Sequence, residues 1–202
     1  MNLFREKNPE ARKIMDGVRA RHPGFRTAVL ADLRMTSANR GERYEFRSKA
    51  DALFQIVRLC WVSDAFLAQV LYRAKAAMQR RGVPILPRLC HRLMMTLSQI
   101  TIGDPVVIHP GVYLIHGQMV IDGLVVIHSG AVIGPWTSIG LVAGHMFGPT
   151  IHEGVAIGTG AKLLGEFEVG PHAKVGANAV VVKDVPAGAT VVGIPAREVT
   201  SA

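Results

Sequence analysis

The chain has 202 residues, of which 49% are hydrophobic, so it can bury a core and is too apolar for a disordered segment. Its formal net charge of +8 would suit a nucleic acid, an anionic membrane surface or a phosphorylated small molecule. The basic residues are not interleaved with aromatic ones, and no zinc-finger or helix-turn-helix spacing occurs. A nucleic-acid partner is therefore not expected.

The N-terminal segment, MNLFREKNPEARK, contains no apolar stretch of the kind that a signal peptide needs. Charged residues interrupt the most apolar region before it reaches the length of a membrane-spanning helix. The two cysteines, Cys60 and Cys90, are too few for a disulfide framework. We therefore expect a cytoplasmic protein that does not associate with a membrane.

The first half of the chain has helical periodicity. Apolar residues recur at helical spacing in residues 51–81, and Gly82, Pro84 and Pro87 then act as a stop signal. A domain of α-helices is predicted for residues 1–99, with helices over residues 9–21, 27–35 and 51–81 and a further one beginning near Pro87.

The second half repeats every six residues. Eight aliphatic residues share one register: Ile133, Ile139, Ile151, Ile157, Leu163, Val169, Val175 and Val181. Glycine often follows these positions, and a small residue often lies two places before them. An upstream set, Ile102, Ile108, Leu114, Val120 and Val126, keeps the period but is offset by one residue, so a one-residue slip is predicted just before Ile133.

Units of six residues cannot bury an aliphatic side chain alone, so they must stack around a continuous apolar interior. A β-solenoid is therefore predicted for residues 100–202, and the fold class is α+β. His145 falls on an inward position of the register. Because an imidazole is a poor member of an apolar column, residues 143–148 are predicted to form a loop outside the solenoid.

Several segments resemble the serine acetyltransferases, which are hexapeptide-repeat acyltransferases with a left-handed parallel β-helix. They are GTGAKLLG (158–165), VGANAVVVKDVPAGATVVGIPAR (175–197), ADLR (31–34) and VIHPG (107–111). The resemblance implies an enzyme that moves an acetyl group from acetyl-CoA to the hydroxyl of L-serine or a serine-like acceptor.

In that family a histidine followed by Gly or Ala removes the proton from the attacking hydroxyl, and the matching residues here are His116 and Gly117. Imidazole suits this role because its ordinary pKa lies near neutral pH. Considered without the resemblance, the favoured interpretation of His116 is a histidine in a solvent-facing turn.

The family also has two acidic residues near this histidine, at positions where this chain has Ile115 and Val107. Asp104 or Asp122 could supply a carboxylate from a neighbouring coil. Either could instead be a turn residue that satisfies backbone donors. Asp104 is the expected partner of His116, and Asp122 is expected beside the acceptor.

The acceptor is harder to assign. Phe147 and Gly148 stand where the family has Arg-His in its extruded loop, so the expected partner of an amino-acid carboxylate is missing. His145 could replace the lost imidazole, and Trp136 could line the acceptor pocket or pack between subunits. Homoserine, an amino sugar or another hydroxyl or amine therefore remains an alternative acceptor, as does a scaffold without catalysis.

The resemblance places the pantetheine arm of the coenzyme along small residues at the turns, namely Gly158, Gly160, Ala161, Ala177 and Asn178. Lys183 and Arg197 would face its phosphates, unless they are ordinary surface charges. The histidines at 109, 128, 152 and 172 show no reliable metal-ligand spacing, so no metal is expected.

Relatives of this type form trimers with the active site between subunits, so a homotrimer is implied. The short helical half puts a dimer of trimers in doubt. The C-terminal residues REVTSA lack the terminal isoleucine through which the family docks into cysteine synthase, so that complex is not expected.

Overall fold

A computed structural model of the protein describes residues 9–199. Residues 1–8 and 200–202 lie outside this range. The expectations about a signal peptide and about docking into cysteine synthase rest partly on these residues. The described part begins with five helices: α1 (Pro9–Arg21), α2 (Phe25–Asn39), α3 (Lys49–Val62), α4 (Asp64–Arg80) and α5 (Leu86–Ser98).

The prediction of a single helix over residues 51–81 was wrong, because the chain turns at Ser63. Ser63 has an extended backbone, and its Oγ accepts a hydrogen bond from the N–H of Phe66 at 3.3 Å, which caps α4. Helices α3 and α4 consequently meet at an angle of 117°. Within residues 9–199, no single helix is both long and apolar enough to span a membrane; only the bent α3–α4 pair has a suitable length and composition.

Short strands follow from Ile100 onward and form a β-solenoid of about five turns, as predicted. Three sheets make up its sides. Sheet A contains β1 (Ile100–Ile102), β4 (Met119–Ile121), β7 (Ser138–Gly140), β10 (Lys162–Leu164) and β13 (Val180–Val181). Sheet B contains β2 (Val107–Ile108), β5 (Leu124–Ile127), β8 (Phe147–Ile151) and β11 (Glu168–Val169). Sheet C contains β3 (Tyr113–Leu114), β6 (Val132–Ile133), β9 (Ala156–Ile157), β12 (Lys174–Val175), β14 (Thr190–Val192) and β15 (Arg197–Glu198).

The turns between strands stack into three edges of the prism. The A–B edge comprises the turns from sheet A to sheet B, the B–C edge those from B to C, and the C–A edge those from C to the next strand of A. All strand pairs are parallel except β14 with β15, which is antiparallel and closes the far end. This division into edges determines which side chains lie near one another.

The predicted inward column is buried from Ile133 onward, which confirms the hexad register there. Upstream, Leu114 is buried, but the next inward residues are Ile121 and Ile127 rather than Val120 and Val126. Val120 instead is 48% exposed. The one-residue slip therefore lies in the turn between β3 and β4, and its predicted position just before Ile133 was wrong.

Helix α4 closes the near end of the solenoid, where the first coil would otherwise expose unpaired strand edges. Four of its side chains, Arg73 among them, donate to backbone carbonyls of that coil. Gln69 donates to Val112 at 2.8 Å, the Tyr72 hydroxyl to Val106 at 2.8 Å, and Lys75 to Ile102 at 2.7 Å. Ala65, Ala68 and Tyr72 of α4 and Met94 of α5 also belong to the apolar core of the solenoid.

His22, which follows α1, is packed against the ring of Tyr72 and is only 5% exposed. Burial, reinforced by the positive charge of Arg73 and its neighbours, lowers the pKa of His22 from 6.5 to about 4. The unfolded chain therefore binds this proton more readily, and folding loses stability as the pH falls from about 6.5 towards 4. We expect His22→Phe to remove about 2–3 kcal/mol of this pH dependence, measured by urea unfolding between pH 7 and pH 4; an unchanged slope would contradict the assignment.

Candidate active site

The residues predicted for the site lie on two edges of the prism. The C–A edge holds His116, Gly117, Trp136, Gly158, Gly160, Ala161, Ala177 and Asn178. The A–B edge holds Asp104, Asp122, His145, Gly148 and Lys183, although Gly148 already belongs to β8. Arg197 is in β15, the last strand of sheet C. A single chain therefore does not bring all of these residues into one group.

The turns of the C–A edge are in direct hydrogen-bonded register. The N–H of Trp136 donates to the carbonyl of Gln118 at 2.8 Å, which links the His116 turn to the next coil. The N–H of Gly160 donates to Pro135 at 2.9 Å, and that of Asn178 donates to Thr159 at 2.9 Å. His116 is thus on the same edge as the small residues predicted to hold the coenzyme.

The turn that carries His116 is one residue longer than the regular hexad repeat, and this extra residue causes the one-residue slip in the register. Six residues separate the buried positions Leu114 and Ile121, whereas five separate Ile133 and Ile139. Gln118 in this turn has a left-handed backbone with φ of 62°. A Cβ atom on Gly117 would lie 2.0 Å from the carbonyl oxygen of Ser98, so only glycine fits directly after His116.

The nearest carboxylate to His116 belongs to Asp64, the first residue of α4. His116 Nδ1 lies 3.7 Å from Asp64 Oδ1, and the N–H of Gly117 donates to Asp64 Oδ2 at 2.9 Å. The His116 side chain is 67% exposed, so a small molecule can reach its ring. Sequence reasoning did not identify Asp64; the only sequence signal was its position after Ser63, a residue typical of helix N-caps.

Asp104 does not contact His116, which contradicts its expected role as the partner of that residue. Its Oδ1 accepts a hydrogen bond from Lys75 at 2.9 Å on the A–B edge. Burial opposes ionisation of Asp104, but the neighbouring Lys75 ammonium outweighs it and lowers the pKa of the carboxyl. Asp122 lies on the same edge, and its Oδ1 accepts from the N–H of Gly123 at 2.9 Å. Asp104 therefore joins its turn to α4, whereas Asp122 satisfies a backbone donor of its own turn.

Small residues are required where the coenzyme is expected to bind. A Cβ on Gly160, whose φ is +77°, would lie 2.0 Å from Oδ1 of Asn178. Trp136 is 58% exposed in the adjacent turn. Lys162, which is half-buried, donates from Nζ to the carbonyl of Trp136 at 2.6 Å, which places a cation on the same edge. No motif in the sequence had identified Lys162.

An extruded loop is present around His145, but its bounds differ from the predicted residues 143–148. The exposed segment begins at residue 141, and Phe147 and Gly148 belong to β8, where Gly148 is buried. A cavity of about 350 Å³ lies at the base of the loop, against sheet B and α1. Phe147 and Gly148 line it together with Arg21 and Glu166. The cavity therefore offers groups of both charges beside an apolar wall.

The B–C edge carries a stack of histidines rather than a metal centre. The rings of His109 and His128 are parallel at 4.6 Å between centroids, and those of His128 and His152 at 5.4 Å. Burial, together with the adjacent imidazole, lowers the pKa of both His109 and His128. Among residues 9–199, no group of three or more His, Cys, Asp or Glu side chains is arranged to hold a metal ion.

The structure resembles solved serine acetyltransferases. A soybean serine acetyltransferase complexed with serine superposes with a TM-score of 0.72 and 30% identity, covering 89% of this chain and 71% of that one. A serine acetyltransferase in complex with CoA superposes with a TM-score of 0.72 and 26% identity, covering 95% of this chain and 79% of that one.

Sequence comparison agrees, although no family model matches the chain. The chain is 32% identical to the serine acetyltransferase of Synechococcus elongatus over 148 residues, which is 70% of this chain and 58% of that protein. It spans 42% of the Haemophilus influenzae serine acetyltransferase. It is 31% identical to the Mycobacterium tuberculosis serine acetyltransferase over 170 residues, covering 81% of this chain and 72% of that protein. On this similarity of sequence and fold, the chain belongs to the serine acetyltransferase family.

Proposed function

We propose that the protein is an O-acetyltransferase that moves the acetyl group of acetyl-CoA to the hydroxyl of L-serine or a serine-like acceptor. The observation that carries this proposal is the accessible imidazole of His116 on the edge that also holds the small-residue turns at Gly160 and Asn178. Relatives solved with CoA and with serine support both substrates.

In the proposed reaction, His116 takes the proton from the acceptor hydroxyl through Nε2. The oxygen attacks the thioester carbon, the carbon–sulfur bond breaks, and the proton passes from the imidazolium to the departing thiolate of CoA. Backbone N–H groups in the tight turns are suited to hold the oxyanion that forms in between. The products are the acetyl ester and free CoA, so the transfer needs no metal or redox partner.

The division of the site between two edges supports a homotrimer with the active site between copies. Side-by-side packing would set the C–A edge of one copy, with His116, against the A–B edge of its neighbour, with His145 and Lys183. This arrangement is common for closed cyclic oligomers, in which each interface joins two different surfaces. A trimer is sufficient for this site, and the association of two trimers is not required.

The cavity at the base of the extruded loop is the proposed acceptor site. Arg21 can bind a carboxylate and Glu166 an ammonium group, so the two charges fit a zwitterionic amino acid in place of the family's Arg-His pair. A different hydroxyl or amine acceptor, such as homoserine or an amino sugar, is the second candidate. It is favoured by the buried Val107, which replaces an acidic residue of the family.

The two cysteines are unpaired, which together with the use of acetyl-CoA supports a cytoplasmic location.

The test is release of free thiol from acetyl-CoA in the presence of L-serine, with homoserine, threonine and amino sugars in parallel. We expect L-serine to give turnover well above the rate of acetyl-CoA hydrolysis without acceptor. If only another acceptor gives turnover, the assignment of L-serine as the acceptor is wrong. If CoA binds but no acceptor gives turnover, the protein is a scaffold without catalysis.

A further inference from the structure

Helix α4 crosses the whole near end of the solenoid and reaches all three edges of its first coil. Lys75 contacts Asp104 on the A–B edge, and Gln69 donates to Val112 at the end of the B–C turn. Asp64, at the N-terminal end of the helix, reaches Gly117 on the C–A edge. The bonds along the helix fix where its first residue lies relative to the His116 turn.

The Asp64 carboxylate is held by two backbone donors. Oδ1 accepts from the N–H of Ala65 at 2.8 Å, and Oδ2 accepts from the N–H of Gly117 at 2.9 Å. Ser63 caps the helix with its own hydroxyl, so the first turn of α4 does not depend on Asp64 for a side-chain cap. The carboxylate is therefore oriented towards the His116 turn while its Oδ1 stays 3.7 Å from Nδ1 of the imidazole.

We propose that Asp64 is the positioning residue of His116. This inference rests on the proposed function, because it assumes that His116 is the base. The carboxylate accepts the Nδ1–H of the imidazole and so leaves Nε2 unprotonated and directed at the acceptor. The separation of 3.7 Å is longer than a hydrogen bond, and such contacts commonly shorten when substrate binds.

Two features explain why the carboxylate comes from a helix of the N-terminal half. Ile115 and Val107 leave the solenoid without an acidic residue at the two positions where the family has one. The His116 turn, which contains the extra residue, also contacts the helices directly: the N–H of Gly117 donates to Asp64, and the N–H of Gln118 donates to the carbonyl of Ser98. The helices thus complete the site rather than only supporting the solenoid.

Asp64→Asn tests the proposal, because the amide oxygen can still accept from Gly117 while the negative charge is lost. We expect kcat to fall by about 10- to 100-fold, a part of the usual contribution of a general base, with an unchanged KM for acetyl-CoA. Ser63→Ala is the matched control. It removes the helix cap but keeps the carboxylate, so it should lower the melting temperature at least as much and leave kcat within about twofold of wild type.

A second readout does not depend on turnover. The tautomer of His116 is measured by ¹⁵N NMR on the protein without substrate, and the His116 imidazole signals are identified as those missing from the spectrum of His116→Ala. In the wild type, we expect the Nδ1–H tautomer to predominate. Asp64→Asn should shift it towards Nε2–H. An unchanged tautomer or an unchanged kcat would overturn the role of Asp64. A shifted tautomer in a protein that acetylates nothing would instead retain Asp64 as the partner of His116 and reject the proposed function.

Discussion

His116→Ala is expected to lower kcat by about two to four orders of magnitude, the usual contribution of a general base. The hydroxyl of the acceptor is a weak nucleophile at neutral pH, and no other imidazole among residues 9–199 lies on the C–A edge beside the small-residue turns. The KM for acetyl-CoA should change little, because the turns at Gly160 and Asn178 remain. The measurement is steady-state thiol release with saturating acceptor.

His172→Ala is the matched control for this change, since His172 is also a turn histidine but lies on the B–C edge. It should retain wild-type kcat. Both variants should unfold at nearly the wild-type temperature because both side chains lie on turns. If His116→Ala kept wild-type activity, the base would have to be sought elsewhere, with His145 of the extruded loop as the next candidate.

Arg73→Met is expected to destabilise the protein by about 3–5 kcal/mol, because it leaves a buried carboxylate without its counter-ion. Arg73 Nε lies 2.8 Å from Oδ2 of Asp32, and the two side chains are only 3% and 1% exposed. Arg73 also donates to the carbonyl groups of Ile108 and His109, while Asp32 accepts from the N–H of Gly111 at 2.9 Å. One ion pair therefore joins α2, α4 and the first coil.

Arg73→Lys should fall between wild type and Arg73→Met, because an ammonium group keeps the charge but not the planar fork that reaches several acceptors. Arg34→Met, which removes an exposed arginine from α2, should change stability by less than about 0.5 kcal/mol. Urea unfolding at neutral pH measures all three. A loss below about 1 kcal/mol for Arg73→Met would show that the pair does not hold the helices to the solenoid.

The solenoid could be predicted because its core depends on a period that a sequence displays directly. Ile133 and the aliphatic residues after it are buried where the hexads place them, and His145 marked the extruded loop by breaking the column. The position of the one-residue slip in the hexad register could not be predicted from the sequence in the same way. Val120 and Ile121 are both aliphatic, so hydrophobicity does not distinguish the exposed residue from the buried one.

The helical half was less predictable because a capping residue overrides periodicity. Apolar residues continue at helical spacing through Ser63, and the extended backbone of Ser63 with its capping bond to Phe66 separates α3 from α4. That break is what places Asp64 at the start of a helix. Its contact with Gly117 joins residues 53 positions apart, and no local pattern predicts a tertiary contact of this kind. The choice of Asp104 as partner failed for the same reason.

The most direct test of acetyl transfer to a hydroxyl is the chemical identity of the product. The protein is incubated with acetyl-CoA carrying ¹³C in the acetyl group and with L-serine, and the labelled product is identified by ¹³C NMR and mass spectrometry. We expect the label in an ester on the serine oxygen in the wild-type reaction and not above background with His116→Ala. Label recovered only as free acetate, or on serine at equal rates in both proteins, would contradict the account.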